Sequence, residues 1–315
     1  MTYNNSRHKY GVLEDGSVLG NLIDAGEKVS EDSNGVYISG DYNIVIPAGF
    51  TVSATENSIE NGLVVIDGTS KQNEWVWVPV SDSDFSIMFG TANDDGWTML
   101  GTSVKTKYKS LGTTLGNRSL DRGNPGQDTI NDVGILREPD VLAWYDTDQG
   151  YRTQAGFGDL TDMATNFKND YKDMMNSIKE NKGFYIGRYE LGRDSNWNPQ
   201  VKADNVLCNK NWYESYSACK SFSSGNVESR MIWGCQWDQV CRFVSSYKDN
   251  NGVIKARNLD NSTDYGNYSG SSDLKTGTRN NCITNNIYDM AGNCWEWTQE
   301  NYSYSNRVIR GRRLQ

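Results

Sequence analysis

Asn-Asn-Ile-Tyr-Asp-Met-Ala-Gly-Asn-Cys-Trp-Glu-Trp-Thr, residues 285 to 298, is the stretch that decides the fold. The Gly292-Asn293 pair predicts a turn, because both residue types tolerate a positive φ. Trp295 and Trp297 are two positions apart, so a strand would place them on one face and Glu296 on the other. A carboxylate between two indoles is expected to accept hydrogen bonds from backbone N–H groups, or to bind a hard cation such as calcium.

Four other segments accompany this stretch, three before it in the sequence and one after it. Residues 183–190 read GFYIGRYE and predict a strand, while residues 211–219 read NWYESYSAC and predict a helix. Residues 229–238 read SRMIWGCQWD, and residues 307–311 read RVIRG. The spacing of Trp237, Val240, Cys241 and Val244 predicts a second helix, running to about Tyr247.

The five segments resemble, in order, the signature of the formylglycine-generating-enzyme-like family, of the sulfatase-modifying-factor type. The resemblance covers residues 183–311 well and residues 60–90 loosely. It implies an α+β chain with a C-type-lectin-like fold. The structural signature residues that it implies are Asn293, Trp295, Glu296, Trp297, Arg230 and Trp237. This fold hosts enzymes and pure binders alike, so the resemblance alone does not decide the function.

Composition excludes some classes of function. The 315 residues carry a formal net charge of −9, and no cluster of lysines and arginines precedes residues 310–313. Binding to a nucleic-acid backbone is therefore not expected. No apolar run approaches the ~18 residues of a membrane span, so no membrane insertion is expected. The N-terminus shows no signal peptide. The surface of a virion or of a bacterial cell is the favoured location.

The chain divides into two predicted parts. Residues 1–40 are polar, without a clear period, and are expected to form an N-terminal leader or attachment segment. Residues 41–315 are expected to form one domain, with a loop-rich insertion at 91–158. Within it, residues 74–80 predict a strand buried on both faces, paired with residues 63–66. Apolar residues at helical spacing predict a helix over residues 160–178, and residues 249–281 are expected to form a long loop.

Catalytic chemistry has little support in the sequence. His8 is the single histidine, which argues against histidine metal centres and a histidine base. The six cysteines are expected to be buried thiols, and Cys294 stands where the signature usually has Val or Ala, which predicts a packing role. Catalytic members of the resembled family use a cysteine pair just after the segment that matches residues 307–311, and the present sequence stops at Gln315. No catalytic residue and no cofactor is predicted, apart from the alternative of a structural calcium at Glu296.

Recognition is the function that we expect. Tyr, Ser, Asn and Gly crowd the C-terminal half, and these residue types dominate the binding loops of antibodies. The same fold carries the variable proteins of diversity-generating retroelements, which display Asn- and Tyr-rich positions. The resemblance therefore implies a non-catalytic module that binds a protein or glycan ligand on a cell or phage surface. The predicted ligand-binding residues are Asn301, Tyr302, Tyr304, Asn306, Tyr265 and Tyr268.

Two alternatives stay open. The chain could be an oxidase-type relative that lacks the family's catalytic C-terminal segment, or a structural component of a virion or surface. We expect the C-terminal end of the family's domain to be missing, which would leave the strand at 307–311 with an unpaired edge. Such an edge recruits other chains, so a homo-oligomer through the C-terminal strand is predicted. Arg310, Arg312 and Arg313 are expected to blunt this edge or to contact an acidic neighbour.

Overall fold

The structure is a computed structural model of the 315-residue chain. It describes residues 10–12, 18–22, 35–39, 42–47, 49–59, 61–89, 149–158, 160–223, 227–248, 251, 253–256, 266, 274–303 and 306–310. The chain is of mixed helix and sheet, and nearly all of its strand pairs are antiparallel, as the α+β prediction requires. No helix within these ranges is long and apolar enough to cross a membrane.

A four-stranded sheet lies at the N-terminal end. It contains β1 (Tyr10–Val12), β2 (Val18–Leu22), β3 (Gly35–Ser39) and β4 (Tyr42–Ile46), in the order β1-β2-β3-β4. β2 and β3 run parallel, and the other pairs are antiparallel. Strand pairing therefore crosses the boundary at residues 40 and 41, and the division into a leader and a domain stays a prediction.

The central sheet has the order β5-β6-β7-β8, with β5 (Phe50–Val52), β6 (Val64–Asp67), β7 (Glu74–Pro79) and β8 (Gly183–Gly187). The predicted pairing of residues 63–66 with residues 74–80 is confirmed by the antiparallel β6–β7 ladder. β7 is covered on both faces, as its sequence pattern predicts, because Val76 and Val78 pack into one apolar cluster and Trp77 into another.

Gly183 allows β8 to lie this close to β7. A Cβ atom at this position would lie 2.2 Å from the Trp77 ring and 2.7 Å from the Val78 carbonyl oxygen. A larger residue would therefore push the two strands apart.

Five helices lie in the described ranges: α1 (Asp82–Phe89), α2 (Gln149–Gln154), α3 (Leu160–Asn181), α4 (Trp212–Lys220) and α5 (Gly234–Val244). The predicted helix over 160–178 is confirmed as α3. Its buried Phe167 ring contacts the rings of Phe157, Trp212, Tyr216 and Trp233 at centroid distances of 5.4 to 6.2 Å. This aromatic cluster fixes α3 against α4 and the start of α5.

Capping residues set the ends of α4 and α5. Asn211 and Glu214 form a reciprocal capping box at the start of α4, an arrangement that satisfies two helix N–H groups. The prediction that α5 runs to about Tyr247 is wrong. The helix ends at Val244 with Ser245 as C-cap, and Tyr247 pairs with Lys255 in the hairpin of β11 and β12.

The C-terminal part contains short strand pairs. These are β9 (Gly192–Arg193) with β10 (Pro199–Gln200), β11 (Ser246–Lys248) with β12 (Ile254–Ala256), β13 (Ile283–Thr284) with β14 (Ile287–Tyr288), and β15 (Glu296–Ser303) with β16 (Asn306–Arg310). A 3₁₀ helix spans Asn280–Cys282. The predicted loop over residues 249–281 thus includes β12 and the start of this 3₁₀ helix.

Arg310 was expected to lie at an exposed strand edge, but the structure buries its side chain. Its side chain is buried, with Nη1 3.8 Å from Oδ1 of the fully buried Asp238 and the guanidinium 5.4 Å from the centre of the Trp237 ring. The expectation that Arg310 blunts an exposed strand edge is therefore wrong. Arg312 and Arg313 lie outside the described residues. Self-association through the C-terminal strand stays a prediction.

Candidate functional site

A cavity of about 330 Å³ lies beside the signature stretch. Its wall combines the segment after β8, the segment before α4, the C-terminal half of α4, residues 229–232 and the start of β15. Aromatic side chains supply much of this wall, including Trp75, Tyr189, Phe222 and Trp295. Arg230, Trp237, Glu296 and Trp297 of the predicted signature also line it. The structure therefore brings most of the signature residues together around one cavity.

The predicted turn is confirmed at Gly292 and Asn293, whose φ angles are 87° and 59°. Asn293 is buried and holds the turn in place through its side chain. Its Oδ1 accepts the Leu274 N–H at 2.8 Å, and its Nδ2 donates to the Leu274 carbonyl oxygen and to Glu190. The turn is thus fixed on two sides before the chain enters β15.

Glu190 has the role that was predicted for Glu296, because it is the carboxyl group that accepts a hydrogen bond from a backbone N–H group at this turn. Its Oε1 accepts the backbone N–H of Cys294 at 3.0 Å, and its Oε2 accepts the Asn293 amide. Burial raises the pKa of Glu190 well above its usual value, and the negative charges of Asp289 and Glu296 raise it further. The two hydrogen bonds only partly offset this effect. Burial thus disfavours the charged form of the Glu190 carboxyl group.

Glu296 is held by an indole group. The Nε1–H of Trp237 donates to Glu296 Oε2 at 2.9 Å, and this replaces the backbone N–H donors that the sequence analysis expected. Burial raises the pKa of Glu296 to about 7, while the Trp237 hydrogen bond lowers it and the charge of Asp289 raises it. Two carboxyl groups with raised pKa values thus lie on one cavity wall, a feature that is more frequent at functional sites than elsewhere.

The two signature tryptophans have different environments. Trp297 packs against the cluster around α3, and its Nε1–H donates to the Lys210 carbonyl oxygen at 3.1 Å. Trp295 is 52% exposed. Exposed tryptophan is costly unless it meets a partner, and it is enriched at binding surfaces. Trp295 therefore offers an apolar contact surface at the edge of the cavity.

Arg188 lies beside the cavity, and its guanidinium already forms two ion pairs. Arg188 donates through Nη1 to Glu74 Oε2 at 2.6 Å and through Nη2 to Glu56 Oε1 at 3.0 Å. Its guanidinium also lies 5.7 Å from the ring centres of Tyr189 and Tyr288, which stack at 5.0 Å. Arg230 contacts the Asp170 carbonyl oxygen and Glu228. Both arginines thus contact neighbouring acidic groups or carbonyl oxygens, and they support the walls of the cavity.

The predicted ligand-binding residues lie away from this cavity where their backbone is described. Asn301 and Tyr302 lie in β15, and Asn306 begins β16. Tyr302 is six residues from Glu296, so about 20 Å of strand separates these two residues. Tyr265, Tyr268 and Tyr304 lie outside the described residues. The role of all six residues in binding stays a prediction.

Glu190 and Cys208 line the cavity, but neither was predicted to be a site residue. The available signal for Glu190 was a glutamate three residues after the apolar strand β8, since a charge so close to a buried strand is rarely left without partners. The sequence around Cys208 did not mark it as a site residue, because the residue that its sulfur contacts, Cys294, lies 86 positions away. Cys294 was predicted to be a packing residue, but it is partly exposed and lines the cavity beside Cys208.

Within the described ranges, no three His, Cys, Asp or Glu side chains form a group that could hold a metal ion. Calcium at Glu296 stays an untested prediction. Comparisons with protein-family models, with curated proteins and with solved structures found no match to this chain. The assignment to a family therefore stays a proposal that depends on the motif resemblance.

Proposed function

We propose that this chain is a non-catalytic recognition module, built on a C-type-lectin-like fold of the formylglycine-generating-enzyme type, and that it binds its ligand in the cavity beside Trp295. The observation that carries the proposal is the exposed Trp295 at a cavity that also contains Glu296 and Glu190. The resemblance of the five ordered segments supports the fold. The surface of a virion or of a bacterial cell is the location that we propose.

The size and lining of the cavity support binding of a small group. Ligand sites typically have volumes of ~300–1,000 Å³, with mostly apolar walls and a few polar groups that fix orientation. A volume of about 330 Å³ fits one sugar ring or one side chain of a larger ligand. The ligand would place an apolar face against Trp295 and hydrogen-bond donors toward Glu296. This chemistry fits the protein or glycan ligand that the sequence predicts.

The hydrogen bonds of the two carboxyl groups support binding over catalysis. Glu190 anchors the turn through Asn293 and Cys294, and Glu296 accepts from Trp237. Each group thus already fixes part of the wall. The oxidase-type alternative is distinguished by assay, since the proposal expects no copper-dependent turnover of a cysteine-containing peptide.

Substitution of Trp295 tests the proposal. A screen of immobilised glycans and surface proteins would first identify a ligand of the unmodified chain. Trp295→Ala should then weaken binding by about 30-fold or more, since aromatic anchors contribute ~2 kcal/mol or more. Trp197→Ala is a matched control, because Trp197 is similarly exposed (57%) but packs on Arg193 and does not line the cavity.

Two outcomes would contradict the location of the site. Unchanged binding by Trp295→Ala would exclude the cavity, as would equal losses in the Trp295 and Trp197 variants. Loss of binding in Tyr302→Ala with full binding in Trp295→Ala would instead place the site at the far end of the β15–β16 hairpin. Copper-dependent turnover by the unmodified chain would refute the non-catalytic function itself.

A further inference from the structure

Two cysteines from distant parts of the sequence meet in the cavity wall. The Sγ atoms of Cys208 and Cys294 are 3.2 Å apart, although 86 positions separate the residues. A disulfide bond has a length of ~2.05 Å, so a relative movement of about 1 Å would allow the bond to form. None of the six cysteines is in a disulfide in this structure. The pair is thus present as two adjacent thiols.

The four other cysteines have different environments. Cys235, Cys241 and Cys282 are buried, and burial raises the pKa of Cys282 to about 12 and that of Cys241 well above its usual value. Burial also raises the pKa of Cys219 to about 12. Because the thiolate is the reactive form, these thiols are expected to be inert. Cys208, Cys294 and Cys219 are all partly exposed and all line the cavity. Burial raises the pKa of the Cys219 thiol, whereas Cys208 and Cys294 are the two whose sulfurs contact each other.

Hydrogen bonds beside each cysteine hold the two backbone segments together. The Cys294 N–H donates to Glu190 at 3.0 Å, and the N–H of Leu207 donates to the Leu191 carbonyl oxygen at 2.8 Å. Trp297 donates to the Lys210 carbonyl oxygen at 3.1 Å, and this bond directly joins the two segments. The approach of the thiols is therefore fixed by the surrounding fold and does not depend on the rotamers of the cysteines alone.

We infer that Cys208 and Cys294 form a reversible, redox-active dithiol pair. The oxidant is a small-molecule disulfide that can enter the cavity. The thiolate of one cysteine attacks a sulfur of this disulfide, which forms a mixed disulfide and releases one small thiol. The thiolate of the other cysteine then attacks the protein sulfur of the mixed disulfide and releases the second small thiol. Two protein thiols are oxidised to one disulfide, and one small disulfide is reduced to two thiols.

Oxidation would join the segment before α4 covalently to the signature turn. Trp295 directly follows Cys294, so the bond would restrict the wall that carries the exposed indole. The inference concerns the chemistry of the thiols and does not depend on which ligand the cavity binds.

Oxidation of the folded, unmodified chain tests the inference. The reduced protein is incubated with oxidised glutathione, remaining thiols are alkylated, and the digest is mapped by mass spectrometry. The expected result is a peptide in which Cys208 is linked to Cys294, with the other four cysteines alkylated once the protein is unfolded. Dithiothreitol should reverse the link. The oxidised form should melt on the order of 5 °C higher, since the bond closes a long loop.

Two serine variants sharpen the test. Cys208→Ser cannot complete the second step, so Cys294 should retain a glutathione adduct. Cys219→Ser, the matched control, should still form the Cys208–Cys294 link. Recovery of both Cys208 and Cys294 as alkylated thiols after oxidation would overturn the inference. A link from either residue to another cysteine would also overturn it.

Discussion

Replacing Glu296 by glutamine should stabilise the protein, and increasingly so as the pH rises. Burial raises the pKa of Glu296 from 4.5 to about 7. Between these pH values the folded chain binds a proton that the unfolded chain has lost, so ionisation opposes folding and stability falls as the pH rises. A difference of about 2.5 pH units at ~1.4 kcal/mol per unit gives about 3 kcal/mol.

The structure allows glutamine to replace the neutral glutamic acid with little change. The side-chain carbonyl of the introduced glutamine can still accept the Trp237 N–H, and the charge is absent at every pH. We expect Glu296→Gln to exceed the unmodified chain in unfolding free energy by under about 1 kcal/mol near pH 5 and by about 3 kcal/mol near pH 8. Urea denaturation across this range measures the difference at each pH.

Glu214→Gln is the control with the opposite sign. The Asn211 backbone N–H, and then Lys210, lower the pKa of Glu214. Its ionised form therefore stabilises the fold above the unfolded pKa, and this contribution is lost as the pH falls. Glu214→Gln should lose stability near neutral pH. A difference between Glu296→Gln and the unmodified chain that stays constant with pH would refute the reasoning, as would a variant that is less stable near pH 8.

Three further substitutions test the fold by urea denaturation at neutral pH. Phe167→Ala should cost about 3–5 kcal/mol, because it empties the aromatic cluster between α3 and α4; a loss below about 1 kcal/mol would contradict that packing. Asn211→Ala should cost about 1 kcal/mol through loss of the α4 capping box, and an unchanged midpoint would show that this cap is not needed. Arg310→Met should cost about 3–5 kcal/mol, because Asp238 would keep a buried charge without its arginine; a neutral result would place Arg310 in solvent.

The sequence correctly predicted those helices and strands whose signal is the spacing of apolar residues within the element itself. The helical spacing around Phe167 and Tyr171 predicted α3, because one face of a long helix must carry the apolar residues that it buries. The continuous apolar run from Trp75 to Val78 predicted a strand covered on both faces. The end of α5 was missed because Tyr247 continues the apolar period of the helix. Tyr247 instead pairs with Lys255 in a strand. The spacing of apolar residues within the helix contains no information about this pairing.

The site could be predicted only in part. The signature stretch predicted the turn at Gly292 and the presence of a carboxyl group held by hydrogen bonds. It did not predict which donor holds Glu296, since Trp237 lies 59 positions away. Long-range contacts of this kind depend on how helices and hairpins pack against each other. A single sequence shows which face of an element is apolar, but it does not show which other element packs against that face. Cys208 with Cys294 is a second example of the same limit.

Trp237 gives the protein an internal reporter of proton binding. Glu296 and Arg310 are direct partners across the β15–β16 pair, and the indole contacts both, through its N–H and its ring face respectively. The indole N–H resonance of Trp237 should therefore shift as Glu296 titrates near pH 7. Nine other tryptophans are present, but replacement of Trp237 by phenylalanine would assign the signal. Nuclear magnetic resonance could then follow the charge of the cavity without an added probe.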